Sequence, residues 1–284
     1  MTYLTTLGAV DVASSGPFFV ADLSPWEGAT PDFNALSADP RMVGCIIKAT
    51  QGVSYAPPWF TQNWNRVRAA GGSRYGSSWF RGCYHYGTPT PNGAAQADFL
   101  LAAVDRAGGW GSGDMPPAWD LEDGSNQAWT NAGKQAAIDV SSQFAERIKS
   151  RLGKAPILYT GATWRSLGIT DRAGYHQMWS SHLNLMTPFG WPNSSYALWQ
   201  YVGDGKYYNP ATAVFGYPTG VPGLSKIDMS VVMKGGRAAT SIGEVRSVLT
   251  GGRSLLLPIV LAVGLLGIGA LIARYRSGER TAGP

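Results

Sequence analysis

The sequence predicts an α/β chain: an irregular (β/α) barrel whose helices thin out in its second half, followed by a C-terminal transmembrane helix. Three observations carry this reading. Short apolar runs alternate with helix-like segments early in the chain, then continue with mostly loop between them. Carboxylates stand at the ends of several runs, where the chemistry of such barrels sits. Residues 255–273 form an uncharged apolar stretch, long enough to cross a bilayer as a helix.

The elements follow in order. Phe18 to Ser24 is a buried strand that carries Asp22 at its end. Thr30-Pro31 opens a short helix over Asp32 to Ala38. Met42 to Thr50 is a second buried strand, and Pro58 to Ala70 a helix with Gly71-Gly72 past its end. Gly82 to Tyr86 is a third strand; Asn92 to Arg106 is a helix stopped by Gly108-Gly109. The fourth strand runs into Trp119-Asp120-Leu121-Glu122. Thr130 caps a longer helix to Leu152, with Ile138, Phe144, Ile148 and Leu152 as its buried stripe and Gly153 as its stop. Ala155 to Thr160 is the fifth strand, with a helical turn near Trp164-Leu167. His176 to Ser181, Tyr196 to Val202 and Ser225 to Val232 complete the set. In this reading Asp22, Asp120, Glu122 and Asp228 all fall at the C-terminal ends of strands. The domain organisation is a leader over 1–17, a barrel domain over 18–234, a Gly-rich linker over 235–254, the transmembrane helix over 255–273 and a basic tail over 274–284.

Composition narrows the function classes. Of 284 residues 14% are charged, while Gly (37), Trp (11) and Tyr (13) are abundant, which excludes a disordered chain and suits aromatic-lined clefts. The formal charge of +5 favours polyanionic surroundings such as a cell wall or membrane. The first 230 or so residues hold no Lys/Arg cluster of the nucleic-acid kind, so no nucleic-acid partner is expected. The two cysteines, Cys45 and Cys83, lie in apolar strands and read as buried thiols, with a disulfide between neighbouring strands as the alternative. Three scattered histidines give no metal-ligand spacing; neither metal nor cofactor is expected. His85 reads as a satisfied core residue rather than a base. Met1 to Leu7 lacks the basic and long apolar regions of a secretory signal peptide.

The chemistry concentrates at Asp120 and Glu122. On a strand, residues two apart share a face, so these carboxylates would sit side by side with Leu121 turned away. Close carboxylates repel, and one then tends to keep its proton near neutral pH. That supplies an acid and a base from one residue type, as glycosidic cleavage needs. A lone D-x-E is weak, since solvated loop charges give the same pattern. Tyr84, Tyr86, Tyr159, Trp179 and Trp199 are candidates to line a sugar cleft, although strand aromatics are more often core.

The chain resembles the glycoside hydrolase family 25 lysozymes, N,O-diacetylmuramidases that include many phage endolysins. The resemblance spans roughly Phe18 to Lys234. It rests on Val20-Ala21-Asp22-Leu23-Ser24, Ile47-Lys48-Ala49-Thr50-Gln51-Gly52, Tyr84-His85-Tyr86, Trp119-Asp120-Leu121-Glu122, Tyr159-Thr160-Gly161, Leu198-Trp199-Gln200-Tyr201 and Ile227-Asp228, in that order. It implies an irregular (β/α) barrel and cleavage of the β-1,4 bond between N-acetylmuramic acid and N-acetylglucosamine in peptidoglycan. Carried over by position, Glu122 is the general acid and Asp120 its partner, orienting or activating the substrate acetamido group. Asp22 and Asp228 are the other carboxylates of the cleft. The family often has Glu where this chain has Gln51, so that position is not assigned a catalytic part.

The expected partners are peptidoglycan, through a monomeric catalytic domain, and membrane lipid, through the C-terminal helix. The expected location is membrane-anchored, with the barrel acting on the wall outside the cytoplasmic membrane. A non-catalytic wall-binding or virion protein on a lysozyme-like barrel is the alternative, and a hydrolase of another amino-sugar polymer a weaker one. Presence of all four carboxylates favours the enzyme.

Overall fold

The computed structural model describes residues 16–24, 31–181, 191–203, 206–207 and 227–251. Seven strands run parallel in chain order: β1 (Phe19–Leu23), β2 (Met42–Gln51), β3 (Phe80–Tyr86), β4 (Ala118–Leu121), β5 (Ile157–Thr160), β6 (Gln177–Ser180) and β7 (Tyr196–Gly203). β8 (Lys206–Tyr207) pairs with β7 at its far end. β9 (Asp228–Lys234) then runs antiparallel between β7 and β1 and closes the barrel. A short β10 (Arg237–Ala238) hangs on β9.

Helices cover the outside. These are α1 (Phe33–Ala38), α2 (Phe60–Gly71), α3 (Gly93–Arg106), α4 (Ala128–Ala132), α5 (Lys134–Leu152) and α6 (Ala162–Ser166), whereas α7 (Ile242–Leu249) packs Val245, Val248 and Leu249 against the residues inside the barrel. Their starts follow local chemistry. Asp32, not Thr30-Pro31, caps α1, its Oδ1 accepting from the Ala35 N–H at 3.0 Å. Asn92 does the same for α3 through Ala95 at 2.9 Å. The single helix expected from Thr130 to Leu152 is split at Gly133, whose φ of +87° no helix interior accommodates. α5 ends on Gly153 in the left-handed region, as expected.

Strand alternation sorts the core into two layers. Phe18, Val20, Val43, Ile46, Phe80, Ala118, Ile157, Leu198 and Val232 fill the barrel. Phe19, Ala21, Cys45, Ile47, Cys83, Trp119, Leu121 and Leu158 point outward, under helix residues such as Trp64, Leu100, Val104, Phe144 and Ile148. Both cysteines are free and buried in this outer layer. His85 is there too. It stacks on Trp119 (5.4 Å) and Phe144 (5.5 Å), and its nitrogens meet Thr50 Oγ1 (2.7 Å) and Gln96 Oε1 (3.0 Å). The Gln96 amide nitrogen donates to Thr88 and Pro91 carbonyls, so its oxygen is the acceptor and His85 carries its proton on Nε2. Burial pushes this imidazole down to about 4, so it stays neutral. It is a satisfied core residue.

Two expectations about the C-terminal part need correction. Residues 237–249 are not a linker: β10 extends the sheet edge, and α7 buries Val245, Val248 and Leu249. Ser241 caps α7, accepting from Glu244 N–H at 3.2 Å, a start signal obscured by the surrounding glycines. The transmembrane helix is corrected as well. Among the described residues no helix is long and apolar enough to cross a membrane. The 19-residue α5 carries Lys134, Asp139, Glu146, Arg147, Lys149 and Arg151 around a single apolar face. The stretch 255–273 lies outside the described residues, as do most of the leader 1–17 and the tail 274–284. No membrane anchor, lipid partner or membrane location is therefore carried forward.

Candidate active site

The parallel strands end at one rim, and four carboxylates gather there. On β1, Val20 points into the barrel, so Asp22 two residues on does too; it is 9% exposed. On β4, Ala118 and Asp120 point inward while Trp119 and Leu121 face the helices. Asp120 is 4% exposed, and Glu122, just past the strand end, keeps partial exposure. Asp228 was expected at the C-terminal end of its strand. It instead begins β9, and because β9 is antiparallel this start lies on the same rim. Asp228 pairs directly opposite Asp22 in the β1–β9 ladder.

One cleft of about 200 Å³ brings together Asp22, Ser24, Lys48, Tyr84, Tyr86, Asp120, Glu122, Tyr159, Trp179 and Asp228. Four of the five candidate aromatics are thus at the site. The Tyr159 ring meets Trp179 edge-on at 4.5 Å, and its hydroxyl donates to Gln200 Oε1 at 2.7 Å. Gln200 Nε2 in turn donates to Asp228 Oδ2 at 2.8 Å, and Trp179 Nε1 donates to Ser230 Oγ at 2.8 Å. The Tyr86 hydroxyl donates to the Glu122 carbonyl at 3.0 Å, fixing the backbone that carries the carboxyl. Trp199 is the exception. It is one residue out of phase with Gln200 and packs in the outer layer, so it does not line the cleft.

The third carboxylate of the Asp-Leu-Glu-Asp run, Asp123, has a different task. It accepts from the Trp129 N–H (2.7 Å) and the Thr130 hydroxyl (2.5 Å), which ties the loop after β4 to α4.

Lys48 and Gln200 were not anticipated as site residues. Both signals were in the sequence: each is a lone polar residue at an inward position of an apolar strand, where burial demands a partner. Lys48 Nζ donates to Gln51 Oε1 at 2.9 Å and lies 4.6 Å from the centre of the Tyr86 ring.

The electrostatics are those of an under-compensated acidic cluster. Burial, then the charge of Glu122, holds the Asp120 carboxyl well above the usual carboxylate range, with Lys48 opposing. Burial, then Asp228, pushes Glu122 up to about 7, again against Lys48. Burial lowers Lys48 while Asp120 and Glu122 favour its charge. The buried Asp120 Oδ1 has no hydrogen-bond partner among the described residues. The arrangement can hold a proton on one carboxyl and a negative charge on another within one cleft.

Comparison with known proteins agrees with this geometry. The model of glycosyl hydrolases family 25 matches residues 21–209. An N,O-diacetylmuramidase of Chalaropsis sp. is 37% identical over 150 residues, 51% of this chain and 66% of that protein. Lysozyme M1 of Streptomyces globisporus is 26% identical over 195 residues, 65% of this chain and 62% of that protein. The chain spans about half to two thirds of the length of the curated relatives it matches. Among solved structures, a bacterial lysozyme from Streptomyces coelicolor superposes with a TM-score of 0.63 at 22% identity, over 84% of this chain and all of that one. At that identity the likeness speaks for the fold.

Proposed function

We propose that this chain, which belongs to the glycosyl hydrolases family 25, is a muramidase: it hydrolyses the β-1,4 bond between N-acetylmuramic acid and N-acetylglucosamine in peptidoglycan. The observation that carries this is the convergence of Asp22, Asp120, Glu122 and Asp228 in one cleft, with Glu122 raised to about 7.

Glu122 is the general acid. It is the more exposed of the central pair, so a glycosidic oxygen can reach it, and near neutral pH it retains its proton. When Glu122 holds that proton, Asp120 loses its like-charged neighbour and keeps Lys48 as counter-charge. The pair thus shares one proton; Lys48 favours the negative charge on Asp120, while burial, the larger influence, opposes it. The unpartnered Oδ1 of Asp120 is an acceptor suited to an acetamido N–H of the substrate. Asp228, held by Gln200, and Asp22 opposite it add negative potential beneath the site where positive charge develops on the sugar ring. Tyr84, Tyr86, Tyr159 and Trp179 wall the sugar.

The test is incubation of the full chain with purified peptidoglycan beside Glu122→Gln, reading new reducing ends by mass spectrometry. New N-acetylmuramic acid ends are expected, with a loss of about 10²- to 10⁴-fold in Glu122→Gln. No release by a folded wild type that binds the wall would replace the muramidase with a non-catalytic wall-binding protein.

A further inference from the structure

The large apolar side chains exposed among the described residues, Tyr55 (41%) and Val53 (39%), lie two residues apart in one short turn. Single exposed apolar residues are ordinary, but a pair at the mouth of a cleft is a feature to explain. The turn leaves the C-terminal end of β2, at the rim that carries the carboxylates. Gln51 and Tyr55 bridge each other in antiparallel fashion: the Gln51 N–H donates to the Tyr55 carbonyl at 2.9 Å, and the Tyr55 N–H returns to Gln51 at 3.3 Å. Gly52, at φ +54°, lets the chain reverse, and its N–H donates to the Tyr86 carbonyl at 3.2 Å. The turn is therefore fixed to the strand that supplies the cleft wall.

Lys48 joins this turn to the site. Its ammonium lies 4.6 Å from the centre of the Tyr86 ring, inside the cleft, and 6.0 Å from that of Tyr55, outside it. Its donated hydrogen bond ends on Gln51, the first residue of the turn. Tyr86, Lys48 and Tyr55 thus make a continuous track from the carboxylates to the surface.

We propose that the Gln51–Tyr55 turn is an outer sugar-binding subsite, which takes a pyranose of the same glycan strand beyond the two rings that flank the cut bond. A pyranose presents an apolar C–H face, and an exposed tyrosine on a pre-ordered turn offers a flat, amphipathic partner with little ordering entropy to lose. Val53 widens the apolar platform, and the ammonium and Gln51 amide offer polar partners to hydroxyl or acetamido groups. The proposal rests on the glycan-cleaving reading and adds where the strand leaves the cleft.

The experiment compares wild type, Tyr55→Ala and Tyr55→Trp on long peptidoglycan strands and on the shortest muramic acid oligosaccharide that is cut. For Tyr55→Ala a loss of about five- to tenfold in kcat/KM is expected on long strands, carried by KM, with no change on the short substrate. Tyr55→Trp should retain the long-strand value. An equal loss on both substrates, or none on either, overturns the subsite. If wild type cuts neither substrate, the muramidase reading falls on its own. The subsite is then decided by calorimetric titration of long strands into wild type and Tyr55→Ala, where equal Kd values overturn it.

Discussion

Two buried aspartates at the two ends of β4, Asp114 just before the strand and Asp120 near its end, live under opposite rules. Asp114 precedes β4 and is fully buried against Arg81 at the start of β3. Its carboxylate accepts two guanidinium bonds, Nε at 2.8 Å and Nη2 at 2.7 Å, with further bonds from the Tyr75 hydroxyl and the Gly111 N–H, both at 2.6 Å. Arg81 in turn stacks 3.6 Å from the centre of the Trp64 ring and donates to the Trp64 carbonyl. Asp120, at the other end of β4, has no such counter-charge in contact. Its neighbours are another carboxyl and a lysine held by Gln51. Burial is nearly the same, so compensation is what differs. A compensated buried charge fixes structure; an under-compensated one holds back a proton or an acceptor for a ligand.

The largest test of this contrast is Asp120→Asn. It removes the under-compensated charge while keeping shape, so kcat/KM on peptidoglycan should fall about 10²- to 10⁴-fold. The melting temperature should hold or rise, because like-charge repulsion is relieved. A variant that loses activity and stability together would break the contrast.

Asp114→Ala is the mirror experiment. It strands a buried Arg81 and should cost about 3–5 kcal/mol of stability, read by urea unfolding. The kcat of the protein that remains folded should stay near wild type. A selective kcat loss there would mean that this ion pair reaches the chemistry.

The smallest effect sharpens the role of Lys48. Glu122 must carry its proton to act as acid, so activity should fall as pH rises through about 7. Lys48 opposes the upward shift of both Glu122 and Asp120. Removing that cation in Lys48→Met should move the alkaline limb of the kcat/KM profile to higher pH, by about half a unit to one unit. An unmoved limb would reduce Lys48 to a packing residue of the cleft wall.

Much of the site could be read from residue order. Asp120 and Glu122 share the cleft because a strand repeats every two residues, and His85 is core because its neighbours are apolar on the helix-facing side. At β7 the same parity rule admits only one of two neighbours: Trp199 and Gln200 are adjacent, and it is the amide, not the aromatic, that faces the site. Periodicity gives two faces but does not say which is inside when both are apolar. Strand direction was also beyond reach for β9, since an apolar run reads alike in either sense.

What the sequence determined by itself, then, was local: caps at Asn92, the stop at Gly153, the parallel strand-helix units and the pairing of Asp120 with Glu122. These follow from backbone preference and short-range spacing. Tertiary structure alone decided the closure. β9 enters antiparallel between β7 and β1 and sets Asp228 opposite Asp22, more than two hundred positions apart in the chain. It also decided which buried aspartate meets Arg81 and which is left to Lys48 and Glu122. Those outcomes depend on contacts between distant strands, whose free energy no local window of sequence contains.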